Sequence, residues 1–276
     1  MQVRDLLLQL TTYPVPTPDW AIEAAVAIAG LFDARVSGAV CKVKMPAVSN
    51  FLADALVHAN EAIAAANKKS EDNAQNLLSR FRELVPPQHC GEELKIDCGA
   101  MVSSLDIAAQ ARVADMTIIP NYGHTGPIAE DLVFDSGRPV LLLPVSEGAP
   151  KPSFDHVVVG WDGGRAAARA LADALPICAR AASVKVVTIT GDKALDRDIQ
   201  DGLRRHLKAH AIEADLIERP AAGADAGSAL LEFCRSSGAG LLVMGAYGHS
   251  QLREFILGGA TRTVVAEADL PVLMAH

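Results

Sequence analysis

Aromatic residues make up only 4% of this 276-residue chain. Its core therefore cannot rest on stacked rings, and the apolar mass falls to Ala, Leu, Val and Ile, the side chains that pack helices onto a parallel sheet. Clustered positive charge is also missing. Thirty-three acidic residues against 25 basic ones give a net charge of −8. Nucleic acids and anionic membranes both select a positive footprint, so neither is expected as a partner. No apolar run approaches the roughly 20 residues of a spanning helix. The opening MQVRDLLLQL carries charge where a signal peptide would need an apolar stretch, so a cytoplasmic protein is expected. The five cysteines, Cys41, Cys90, Cys98, Cys178 and Cys234, contain no CxxC and have no companions at ligand spacing. The expectation is buried reduced thiols, with neither disulfides nor a metal site.

What is present is repeated. DMTIIPNYGH (Asp115 to His124) is answered by GLLVMGAYGH (Gly240 to His249), and each is a short apolar strand followed by a Gly-containing turn. RPVLLLP from Arg138 is answered by LPVLMAH from Leu270, and RDLLLQLTT near Arg4 by FDHVVVGWDGG from Phe154. Three matches in the same order imply an internal duplication joined in SEGAPKPS, Ser146 to Ser153. The length prior agrees with two domains, here 1–146 and 153–276.

The second half gives the clearer order. Strands are expected at 157–161, 184–190, 214–218, 241–245 and 271–275. Helices are expected after Arg165 (with Pro176 ending or kinking it), from about Lys193 to Ala209, around Ser228 to Ser236, and from near Gly259. Strict alternation argues a parallel sheet with right-handed crossovers. The first half differs in its middle, where residues 51–84 read as a long surface helix or a helical hairpin. Its last strand, PVLLL (139–143), and PVLMA (271–275) are candidate edges that could pair with each other inside one chain as a pseudo-dimer, or between chains in a homodimer.

In a doubly wound sheet a ligand sits beyond the carboxyl ends of the strands, where the winding reverses. GAYGHSQLREFILGGAT, Gly245 to Thr261, follows one such strand and opens the next helix. Bare backbone there admits an anion to the helix N-terminus, so phosphate is the natural guest. Asp162 directly follows the first strand of the second half, where a carboxylate could accept hydrogen bonds from a nucleotide's sugar or base. A tight turn at Gly245 and Gly248 and a helix N-cap at Asp162 are the structural alternatives.

These stretches resemble the G-x2-G-x9-G-(S/T) signature, the opening strand with its Asp, and the final strand of the universal stress protein family, over 154–276. The resemblance implies two tandem doubly wound α/β domains, each with a mainly parallel five-stranded sheet flanked by helices. It also implies a bound adenine nucleotide, ATP or another, with Mg2+ as a companion left open. Carried over by residue, Asp162 and Gly163 would meet the adenosine and the Ile189 strand end would contact the base through its backbone. Met244, Gly245, Gly248 and His249, with Gly258, Gly259, Ala260 and Thr261, would hold ribose and phosphates. Gly259 departs from the pattern, which has Ser or Thr there. A lost hydroxyl removes one hydrogen bond of about 1.5 to 3 kcal/mol to a charged group, and Thr261 could offset it.

The first half lacks the spacer, has Pro120 in the place of Gly245, and has Thr12 in the place of Asp162. It is expected to be a structural or regulatory partner without a nucleotide. His249 invites an acid–base role, but His124 recurs in the half that lacks the site. His206 and His210 read as a solvated helix face. With no G-x-S-x-G elbow and no P-loop, a binder is expected rather than an enzyme, at most a weak ATPase. The alternatives are a slow nucleotide hydrolase and a dimerisation platform without nucleotide.

Overall fold

The computed structural model describes residues 2–47, 59–98, 104–122, 125–144, 152–190, 197–246 and 259–276. One sequence of elements runs through the chain twice. The first pass is β1 (Asp5–Thr11), α1 (Asp19–Phe32), β2 (Arg35–Val43), α2 (Ala59–Leu84), β3 (Cys90–Cys98), α3 (Ser104–Ala111), β4 (Met116–Asn121), α4 (Gly126–Asp135) and β5 (Val140–Pro144). The second is β6 (His156–Gly160), α5 (Arg165–Cys178), β7 (Ser183–Thr190), α6 (Arg197–Ala209), β8 (Ala214–Pro220), α7 (Ala226–Ser237), β9 (Leu241–Gly245), α8 (Gly259–Glu267) and β10 (Val272–Ala275). The expected fold class, two doubly wound α/β repeats, is therefore met.

Close packing divides the residues into two compact units, Val3–Pro120 and Asn121–His276. In the first, β3-β2-β1-β4 is all parallel, with Leu10 opposite Val40 and Leu7 opposite Thr117. In β1 every residue after Asp5 is buried, as a strand covered on both faces must be, and this explains its leucines, Leu6, Leu7, Leu8 and Leu10. In the second, β10-β9-β6-β7-β8 is parallel. β5 joins β10 antiparallel, Leu142 opposite Val272, so the two expected edge strands do pair with each other. That pairing assigns β5 to the second unit, although the sequence repeat breaks later, at 146–153. Small buried side chains at helical spacing, Ala166, Ala167, Ala170 and Ala174, seat α5. Pro176 falls in its last turn, and the helix runs on to Cys178. No described helix is long and apolar enough to cross a membrane.

The cysteine expectation needs correcting. Cys41 and Cys98 form a disulfide across 57 residues, with Cα atoms 5.7 Å apart. Sequence spacing conceals this because the proximity comes from parallel pairing of β2 with β3, whose last residue is Cys98. Cys90, Cys178 and Cys234 are free. Burial pushes the Cys178 and Cys234 thiols up to about 12, which leaves them inert.

Candidate functional site

The winding of the second repeat reverses at β6, whose neighbours are β7 and β9. Gly160 lies opposite both Val187 and Met244, so the carboxyl ends of the three strands are level. Asp162, two residues further on, is exposed and its Oδ1 accepts the Gly164 N–H at 2.7 Å. Gly163 between them has φ +75°, a left-handed conformation that glycine adopts without strain. Gly164, not Asp162, is the N-cap of α5, so the carboxylate closes a turn at the strand end instead of capping the helix. The Trp161 N–H donates to the Val187 carbonyl at 2.9 Å. The period of two along a strand then turns the Ile189 N–H and C=O to the same side, beyond Gly160 where β6 has ended.

Met244, 4% exposed, and Gly245 end β9. A Cβ at Gly245 would lie under 3.0 Å from Ala167 N and Ala166 C, in the first turn of α5. Packing of β9 on α5 thus requires a glycine there, whether or not a ligand binds. Beyond Gly245, the Ala246 N–H donates to Ala275 O, and His276 Nδ1 lies 2.9 Å from Ala246 O. The His276 ring also meets Phe134 edge-on, with centroids 4.8 Å apart. Gly248, His249 and Gly258 lie outside the described residues. α8 opens at Gly259, which is exposed and has no described residue within 4 Å of a would-be Cβ. The Ala260 backbone packs on Gly227, and Thr261 is buried in the first turn.

Helix α7 starts beside α8, and its N-terminal donors are already engaged. Asp225 caps it, accepting from Gly227 N at 2.9 Å and from Ser228 N and Oγ. Hydrogen bonds from the Ser228 hydroxyl first, then from the Ser228 N–H, the Thr263 hydroxyl and the Gly227 N–H, hold its carboxyl below the usual carboxylate range. The signal was there to read: Asp-Ala-Gly-Ser ahead of an apolar run is a capping pattern. Trp161 carries no such signal. Its buried indole Nε1 has no hydrogen-bond partner among the described residues, and it lines a cavity of about 20 Å³ with Thr188, Gln200 and Glu218.

The matching place in the first repeat is filled. Thr12 follows Leu10 and Val40 as Asp162 follows Gly160 and Val187. Its hydroxyl donates to Cys41 O at 2.7 Å and lies 2.7 Å from Ser70 Oγ. Ser70, fully buried on α2, accepts the Val43 N–H at 2.8 Å. One turn away, Asn67 pairs both its amide atoms with Met45, accepting from N at 2.8 Å and donating to O at 2.9 Å. Asn73 donates to Thr12 O at 2.9 Å. The polar stripe of α2 thus lies over the ends of β1 and β2, where a doubly wound sheet holds its ligand.

Among the described residues no three His, Cys, Asp or Glu side chains are grouped to hold a metal ion. Residues 153–276 match the model of the universal stress protein family. A universal stress protein from Archaeoglobus fulgidus DSM 4304 is similar in structure, at 16% identity and TM-score 0.70, covering 98% of this chain and 97% of its own. A candidate universal stress protein from Pseudomonas aeruginosa UCBPP-PA14 follows, at 15% identity and TM-score 0.59, covering 99% and 93%. At these identities the likeness is one of fold. No curated protein sequence matches the chain.

Proposed function

The chain belongs to the universal stress protein family through residues 153–276, and from that premise we propose that it is an adenine-nucleotide-binding stress-response or signalling module of the cytoplasm. ATP is the ligand of choice. Its single site is the crevice of the second repeat, bounded by Asp162, the Ile189 backbone, the end of β9 and the start of α8. The first repeat is the structural or regulatory partner, joined to the second as an intrachain pseudo-dimer.

One observation carries this reading: among the described residues, the chain lines the two equivalent crevices differently. In the first, α2 satisfies the strand ends from within. In the second, an exposed carboxylate and the exposed first residue of α8 bound the same place. The acidic end suits the hydroxyls and base of a nucleoside, and the helix end suits its phosphates. Mg2+ accompanying ATP would be held mainly by the phosphates, since such ions keep several waters and take few protein ligands.

Isothermal titration with ATP tests the reading. The wild type is expected to bind, and Asp162→Ala to bind at least about tenfold more weakly, the loss of roughly one charged hydrogen bond. Absence of binding at millimolar ATP would refute it. Phosphate release from ATP would move the protein to the slow-hydrolase class.

A further inference from the structure

We propose that Cys41–Cys98 is a reversible thiol–disulfide site whose oxidised form clasps α2 shut over the strand ends of the first repeat. The inference is independent of any nucleotide. Thr12 commits its one hydroxyl proton to Cys41 O, so the 2.7 Å contact with Ser70 must be donated by Ser70. Ser70 in turn accepts from Val43 N. The chain therefore leaves β2 at Val43, passes through α2 and β1, and returns to β2 at the carbonyl of Cys41.

The same stretch of β2 is tied to the edge strand β3. Lys44 N donates to Cys98 O at 2.8 Å, and Lys42 Nζ sits between Glu71 of α2 at 2.9 Å and Asp97 of β3 at 3.2 Å. The disulfide is the covalent member of a knot joining β1, β2, β3 and α2. Both its cysteines are 1% exposed. A bond so enclosed is cleaved only when α2 or the end of β3 opens, and once cleaved it leaves two non-bonded sulfurs that need more room than the bond did. Opening and reduction are thereby coupled.

The reductant class is a dithiol. Its thiolate attacks one sulfur to give a mixed disulfide, its second thiol resolves it, and two electrons and two protons pass to the protein as the dithiol leaves oxidised. The three other cysteines do not compete, since none is paired and two are buried and inert.

The test uses the full chain, treated with oxidised glutathione or with dithiothreitol, then labelled with N-ethylmaleimide in denaturant. Three labels are expected after oxidation and five after reduction, from five cysteines of which two are paired. Hydrogen exchange of peptides spanning 40–47 and 66–74 is then expected to be about tenfold faster in the reduced protein. Cys98→Ala should exchange fast in both conditions, and Cys90→Ser should keep the difference. Should Cys98→Ala fail to fold, the wild-type comparison decides alone. Five labels after oxidation would overturn the proposal, as would equal exchange rates in the two states.

Discussion

Two glycines of one motif have opposite surroundings. A side chain at Gly245 would press on the backbone of Ala166 and Ala167, whereas one at Gly259 would meet no described residue. Gly245→Ala should therefore destabilise the protein by about 1 to 3 kcal/mol, the usual cost of forcing atoms into a packed site. Thermal unfolding reads this directly, and an unchanged melting temperature would show that the strand and helix can separate cheaply. Gly259→Ser should leave stability within about 0.5 kcal/mol. It should also strengthen ATP binding by roughly tenfold, because it restores a hydroxyl at the head of α8. From sequence the two are indistinguishable, since a glycine demanded by a ligand and one demanded by a neighbouring helix look the same until the neighbour is known.

Helix α7 depends on a cap that the sequence displays. Asp225→Ala should cost about 1 kcal/mol at neutral pH by releasing the Gly227 and Ser228 donors. The folded carboxyl is held below its usual value, so its contribution is complete above the unfolded pKa and is lost as pH falls through the folded one. Denaturant unfolding of wild type and variant should therefore converge as the pH falls below the usual carboxylate range, and a gap that does not shrink with acidification would contradict the assignment. Helix α2 was legible as a long helix, observed from Ala59 to Leu84, but its task was not. Asn67, Ser70 and Asn73 recur every three residues, which reads as a wet face until β1 and β2 are found beneath it. The disulfide was hidden for a related reason: strand order places Cys98 beside Cys41, and order is not written in the spacing of cysteines. Closing a loop of 57 residues adds about 4 kcal/mol in the chain-entropy account.

At the scale of the whole molecule, repetition was the most readable property. Tyr-Gly-His and three recurring apolar runs predicted two passes of one α/β order, and the strands follow it. The pairing of β5 with β10 was also foreseeable, since both are final strands with an edge to cover. The divergence of the two crevices was also legible, from Pro120 and Thr12 in the places of Gly245 and Asp162. What the repetition could not disclose is that α2 fills the first while an exposed carboxylate bounds the second. The central claim is thus a count, and native mass spectrometry of the oxidised 276-residue chain, titrated with ATP to saturation, measures it. One nucleotide per chain, its half-saturating ATP concentration raised at least about tenfold by Asp162→Ala and left untouched by Asn67→Ala, is the predicted result. Two nucleotides per chain, or one whose ATP dependence Asp162→Ala leaves unchanged, would contradict the assignment of the site to the second repeat.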